Sequence, residues 1–292
     1  MTFLARPADT ALLRQIQRTV TNAFIIVGTV AVFAYVLLPF YWMLKSSLQT
    51  DLEIMKIPSV WFPTQLSFRS YARAMTIIPF ARYITNSLFV SGVTTAVCTI
   101  LASMAGYVLA RHKFPGATVL LMLFLFTQLI PSITRVFPVY FMLQRLHLLN
   151  SYLGLTIAYV SFSLPYSVLM LQGYFRGSYP HELEEAALLD GCTWFSAFMR
   201  IVLPISIPGI IAVATYSFLG AWNDFLWASL LLNKGEMKTI QVGLRDFVGE
   251  FGVQGMNNFM AACAMTTIPA ILLYGLGQKY IVQGMSAGAI KG

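Results

Sequence analysis

Six long stretches without a single Asp, Glu, Lys or Arg divide this chain. They lie between residues 18 and 45, 82 and 111, 113 and 135, 145 and 176, 200 and 224, and 250 and 279. Crossing the roughly 30 Å hydrocarbon core of a bilayer takes about 20 predominantly apolar residues in a helix, and each gap is long enough. In hydrocarbon every backbone N–H and C=O must be paired within the structure, so such runs fold as helices or closed barrels. These runs are too long and too uniformly apolar to alternate as barrel strands. Composition agrees: 10% of residues are charged, against about 25% in a typical soluble domain. The expected fold is an all-α integral membrane protein, residues 1–292 forming a single transmembrane domain. Six transmembrane helices are expected near 23–44, 84–110, 117–142, 151–173, 206–232 and 259–281.

Several function classes fall away. The formal net charge is +8, but the cations are scattered over tails and short loops and form no basic stripe, so nucleic acid is not an expected partner. No phosphate-binding GxxxxGK[ST] loop occurs, so this chain does not hold ATP in that way. The run HELEE at His181 starts like a zinc-helix motif but has no second histidine at the required spacing; His112 and His147 lie in other loops, and no metal site is expected. Cys98, Cys192 and Cys263 show neither disulfide nor metal spacing. The chain is not expected to be an enzyme.

The start has three arginines, and the apolar run that follows is too long for a signal-peptide core, so it is read as a retained helix. Lys and Arg divide evenly between the two sides of the membrane. Arg6, Arg14 and Arg18 ahead of the first helix favour a cytoplasmic N-terminus, and an even span count then puts the C-terminus on the same side. Residues 45–83, rich in prolines and aromatics, read as an outer loop folded on the membrane surface. Residues 233–258 read as a glycine-rich polar outer loop projecting towards a partner.

The polar stretch EEAALLDGCTWFSAFMRIVLP, residues 184–204, interrupts this apolar pattern. Ser178 as a cap, Pro180 in the first turn and Glu182, Glu184 and Glu185 near the positive dipole end all favour a short helix. Gly191 suits a left-handed stop. Ala186 and Ala187 let another surface come close. After Thr193, the residues Trp194, Phe195, Phe198 and Ile201 recur at helical spacing and predict an amphipathic helix ended by Pro204. The stretch therefore predicts a helix–turn–helix loop over 176–205, between the fourth and fifth spans.

This stretch also fits the pattern EAA, three residues, G, nine residues, I, one residue, LP, with Glu185, Ala186, Ala187, Gly191, Ile201, Leu203 and Pro204 in place and Asp190 beside the glycine. It resembles the signature of the inner-membrane permease subunits of binding-protein-dependent ABC importers. AGYVLARHKFPG (105–116), LLNSYLGLTIAYVSFSLPYSVLMLQGYF (148–175) and AWNDFLWASLLL (221–232) are similar to carbohydrate permeases, and the end, QKYIVQGMSAGAIKG, to the smaller permease of maltose-type transporters. The resemblance implies a cytoplasmic coupling loop that docks on an ATPase subunit, with both termini inside a bacterial or archaeal cell membrane. It implies a second homologous permease, a cytoplasmic ATPase dimer that holds ATP and Mg, and an extracytoplasmic solute-binding protein. The solute would be a sugar or oligosaccharide, with glycerol phosphate or a polyol as the alternative; a self-sufficient secondary transporter is the reading from another class. The tail 284–292 (Gly284, Ser286, Gly288, Lys291) would enter the ATPase dimer in extended form.

Polar residues inside spans are costly and are functional candidates. Trp222, Asn223 and Asp224 in the fifth span read either as helix-packing groups or as lining of a translocation path. Arg135, roughly 27 Å along a straight third helix by the 1.5 Å rise, reads either as an interface anchor or as a donor fork for a solute hydroxyl or carboxylate.

Overall fold

The computed structural model describes residues 7–251 and 255–289, with side chains described over 17–247 and 255–280. Its described elements are helical, in the order α1 (Pro7–Ser47), α2 (Arg69–Ile77), α3 (Phe80–Arg111), α4 (Ala117–Leu129), α5 (Val136–Arg145), α6 (Tyr152–Gly177), α7 (Glu182–Leu189), α8 (Trp194–Ala197), α9 (Leu203–Ile205), α10 (Ile207–Asn223), α11 (Leu226–Leu231), α12 (Ile240–Phe251) and α13 (Met256–Ala289). Four helices are long and apolar enough to cross a membrane unbroken, or six if each of two bent pairs counts as one span.

The centre is built where α3 packs between α6 and α10, and small residues make the approach possible. A Cβ on Gly106 of α3 would stand 3.0 Å from the Leu171 Cβ and 3.1 Å from the Gln172 nitrogen of α6. Further along, Cys98 of α3, Ser167 of α6 and Ser217 of α10 meet in a buried cluster, with the Cys98 sulfur 3.4 Å from each hydroxyl. Such small polar residues are what helices use to associate where lipid removes the hydrophobic drive. By contrast α1 touches α13, and none of its span window is buried within this chain.

Two expected spans are broken. The third stops at Leu129; Ile130 is extended (φ −79°, ψ 118°), as the clash with a following proline dictates, and α4 and the segment Ser132–Arg145 meet at 101°. A straight helix over 117–142 is therefore ruled out. Arg135 lies beyond the bend, at the end of the 3-10 turn Ser132–Arg135, and the 27 Å distance does not apply. The fifth span, expected over 206–232, is α10 and α11 with extended backbone at Asp224 (φ −73°, ψ 128°) between them.

The loop at 45–83 folds back on itself. Asp51 pairs with Arg73 at 2.7 Å and accepts from the Asn257 side chain at 2.7 Å, while Thr64 N–H donates to Glu53 at 2.7 Å. The Asn257 hydrogen bond and Arg73 hold the Asp51 carboxyl below its ordinary range. Residues 240–251, expected as loop, form α12. Its Ile240 and Phe247, two turns apart, are buried, and Gly243 lets the Tyr83 ring lie where a Cβ would be 2.2 Å from it.

Candidate coupling surface and span breaks

α7 is only eight residues long, and an isolated helix of that length is not stable in water. Both its ends are fixed. At its C-terminus Gly191 takes φ +89°, with Gly191 N–H donating to Leu188 O at 3.0 Å and Cys192 N–H to Ala187 O at 2.9 Å. This is the paired Schellman closure, with the expected glycine at the left-handed position. At its N-terminus the sequence reading needs correction. The residue ahead of the helix is His181 with no side-chain cap bond; Ser178 instead closes α6, and its hydroxyl finds no hydrogen-bond partner.

Glu184 takes over the anchoring. Its side chain is fully buried, with Oε1 2.7 Å from Arg111 Nε of α3 and Oε2 accepting from the Tyr107 hydroxyl at 2.7 Å. The 2.7 Å Arg111–Glu184 approach is an ion pair by distance; the Nε–H itself points to the Tyr179 hydroxyl at 3.3 Å, and Nη2 donates to the Tyr179 carbonyl at 3.2 Å. The guanidinium also lies 4.3 Å over the Tyr179 ring. Burial, with the Glu184 carboxylate beside it, raises the Tyr179 hydroxyl above its ordinary range. Two rows further along, Phe198 packs on Tyr107 (ring centroids 4.7 Å apart) and Trp194 on His112 (5.0 Å). The C-terminal end of α3 and His112 after it therefore hold this loop at Tyr179, Glu184, Trp194 and Phe198.

With Glu184 and Ala187 turned inwards, the opposite face of α7 is Glu182, Glu185, Ala186 and Leu189, at the i, i+3, i+4, i+7 spacing of one helical stripe. Ala187 is 5% exposed, so its small size serves packing inside this chain; Ala186 carries the outward face. Leu189 is 88% exposed, an apolar side chain left bare on a polar element.

After Thr193, whose hydroxyl caps α8 by accepting from Ser196 N–H at 3.2 Å, the expected regular amphipathic helix does not form. A π-helical turn occupies Phe198–Val202, α9 follows, and the chain bends by 78° into α10. Pro204 has no N–H to give the carbonyl four residues back, and the turn widens ahead of it. The change of register buries Phe198 and Val202 and leaves Trp194 and Phe195 largely exposed, with Ile201 in between; Leu203 is half-buried and Pro204 exposed.

At the α10–α11 break, Asp224 Oδ1 accepts from the Tyr159 hydroxyl (2.8 Å) and from the backbone N–H of Trp227 (3.0 Å) and Ala228 (3.1 Å). It satisfies the free donors at the start of α11. Trp222 is buried and stacks on Phe218, whereas Asn223 is exposed. At the α4–α5 break, the Arg135 guanidinium lies 4.7 Å over the Phe162 ring, and its Nε is buried without a hydrogen-bond partner. At the far end α13 remains helical through Ala289, where an extended tail was expected; Met285, Ala287 and Ala289 suit a helix. Gly284, Ser286 and Gly288 lie in that helix, and Lys291 lies outside the described residues.

Glu184, Arg111, Tyr107 and Tyr179 escaped the sequence reading as a group. The signal was present: Tyr107 and Arg111 stand one helical turn apart on the last turns of an otherwise apolar helix. What was missing was any indication of which of three clustered glutamates turns inwards.

A bundle of long apolar helices that carries a polar helix–turn–helix anchored to the end of α3 defines a multi-pass membrane protein. Residues 99–287 match the family described as binding-protein-dependent transport system inner membrane component, and the chain belongs to this family. It is 32% identical over 266 residues to the diacetylchitobiose uptake system permease protein DasC of Streptomyces coelicolor, covering 91% of this chain and 96% of that one. It is 30% identical over 278 residues to the trehalose/maltose transport system permease protein MalG of Thermococcus litoralis, covering 94% and 99%. Its fold is that of a chain in the crystal structure of a bacterial ABC transporter involved in the import of the acidic polysaccharide alginate, with a TM-score of 0.77, 22% identity, and coverage of 96% of this chain and 99% of that one.

Proposed function

We propose that this chain is one of two permease subunits of an ATP-driven importer that moves a sugar or oligosaccharide into the cytoplasm by alternating access. In this reading the chain crosses the cell membrane six times, through α1, α3, α4 with α5, α6, α10 with α11, and α13, with both termini and α7 in the cytoplasm. A second homologous permease completes the path, and an extracytoplasmic solute-binding protein delivers the solute. ATP and Mg are held by a cytoplasmic ATPase dimer, so this subunit performs no hydrolysis itself. The tail 284–292, helical through Ala289, reaches into that dimer.

The observation that carries this reading is the outward stripe of α7. An exposed Leu189 and Ala186, flanked by Glu182 and Glu185, form a small face on a helix too short to stand alone. In this reading the partner ATPase subunit covers that face. Because Glu184 and Phe198 bind the loop to the end of α3, a push on α7 is a push on α3, and through Gly106 on α6. ATP-driven closure of the partner is transmitted to the spans along this route. Relatives are named for diacetylchitobiose and for trehalose/maltose, which supports the saccharide class. Co-expression with the neighbouring transport components tests the reading: the purified chain brings an ATPase with it, and vesicles holding the complex accumulate labelled saccharide only with internal ATP and loaded binding protein. Accumulation driven by an ion gradient without ATP contradicts it.

A further inference from the structure

We infer that the solute carries a negative charge, an anionic saccharide whose acid group is received by Arg135; this rests on the saccharide-importer reading above. Arg135 is a cation without a carboxylate partner among the described residues. Arginine stays protonated at any physiological pH. Arg135 sits at the break between α4 and α5. Of the chain's 11 acidic residues, only Asp224 falls within an expected span, and its Oδ1 is committed to Tyr159 and to the first amides of α11. Yet the guanidinium is held in place: it lies 4.7 Å over Phe162, whose ring is itself 4.5 Å from that of Trp227. A fixed, partly desolvated charge without a counter-ion is costly. A neutral hydroxyl accepts a hydrogen bond from it but leaves the charge unbalanced, whereas a carboxylate, sulfonate or phosphate does both and matches the planar fork.

The surroundings suit a sugar. One helical turn from Phe162 on α6, Tyr166 packs on Tyr216 of α10 with ring centroids 4.6 Å apart. Tyr166 is 42% and Tyr216 41% exposed on this chain, and Asn223, two turns beyond Tyr216, is exposed as well. Rings with polar tips, a free amide and one cation are groups that bind the apolar faces, hydroxyls and acid of a charged saccharide.

The test uses cells whose only route for these solutes is the complete importer, with this subunit as wild type, Arg135→Gln or Arg135→Lys. The labelled probes are two pairs that differ in charge, trehalose with trehalose 6-phosphate and a neutral digalactoside with digalacturonate. The inference expects uptake of at least one anionic probe by the wild type. It expects a loss of about ten- to hundred-fold in Arg135→Gln, the range for one charge-assisted hydrogen bond, and substantial recovery in Arg135→Lys. Uptake of neutral probes alone overturns the inference and leaves the saccharide reading standing. Uptake of none of the four overturns the inference as well, and the saccharide reading is then decided by the ATP-dependent accumulation test above. Equal uptake of the anionic probe by wild type and Arg135→Gln also refutes it. So does failure of Arg135→Gln to co-purify with the second permease, because the guanidinium is then matched by that partner.

Discussion

Replacing Glu184 by glutamine keeps the shape of the side chain and removes its charge. The Glu184 side chain is 0% and that of Arg111 7% exposed, so solvent does little to screen the loss. Breaking a buried ion pair from one side costs about 3–5 kcal/mol. The lower end applies, because Arg111 keeps its bonds to the Tyr179 hydroxyl and carbonyl and the glutamine oxygen still accepts from Tyr107. At about 1.4 kcal/mol per factor of ten, a loss of about 3 kcal/mol raises the population with α7 detached roughly 150-fold. Amide hydrogen exchange of residues 186–192 in the assembled complex reads this directly. The expected result is a fall of about two orders of magnitude in protection there, with exchange in the centre of α3 and α6 unchanged. Arg111→Gln gives a similar fall, and the double variant much less than the sum of the two. Protection of α7 within about threefold of wild type, or additive effects in the double variant, refutes the idea that this pair anchors the loop.

Three further outcomes are expected. A Cβ on Gly191 meets nothing within 4 Å, so the cost there is purely that of φ +89°, about 1–2 kcal/mol for a residue that avoids the left-handed region; uptake is lost in Gly191→Val and largely kept in Gly191→Asn, and equal uptake by the two contradicts this. Asp224→Ala leaves the Tyr159 hydroxyl and two amides of α11 without their acceptor, a loss of about 3 kcal/mol at 1–3 kcal/mol per unsatisfied group, seen as a lower unfolding temperature of the complex, while Asp224→Asn, which keeps an acceptor, falls in between. Because Asn257 and Arg73 hold the Asp51 pKa below 3.8, its stabilisation of the 48–68 loop is present above 3.8 and is lost as pH falls through the lower folded value; proteolysis of that loop is faster in Asp51→Asn at pH 7, and the difference shrinks on acidification below 3.8.

Much of the fold is legible in where charges are missing. Hydrocarbon tolerates so few ionisable groups that a gap in charge is nearly a measurement of a span, and the unbroken helices α1, α3, α6 and α13 fall where the gaps predict. The same signal says nothing about breaks. Proline alone does not mark one: Pro39, Pro165 and Pro269 sit inside continuous helices, whereas the chain turns by 101° at Pro131. The same residue type gives both outcomes, so the break depends on context that the local sequence does not carry. α12 was hidden for a different reason. Its glycine looks like a loop residue until Tyr83, far away in sequence, is seen to occupy the space.

For the site, Gly191 was readable because local backbone geometry alone demands that residue. The inward turn of Glu184 was not, since Glu182, Glu184 and Glu185 all suit the positive end of a helix. Only the buried guanidinium of Arg111 tells them apart. The π-helical turn likewise arises from Pro204 acting together with the core that Phe198 and Val202 must reach.

The claim that the outward face of α7 sits on the ATPase subunit is tested most directly by a pair of cysteines on adjacent residues. In a background with Cys98, Cys192 and Cys263 replaced, Ala186→Cys places a thiol on the exposed stripe and Ala187→Cys one on the buried face, 5% exposed. With the purified ATPase present, cross-linking through a short bifunctional maleimide is expected at position 186 and not at 187, and ATPase binding protects position 186 from alkylation. Equal reaction of the two positions with the ATPase, or labelling of position 186 by an impermeant reagent added outside intact cells, contradicts the account.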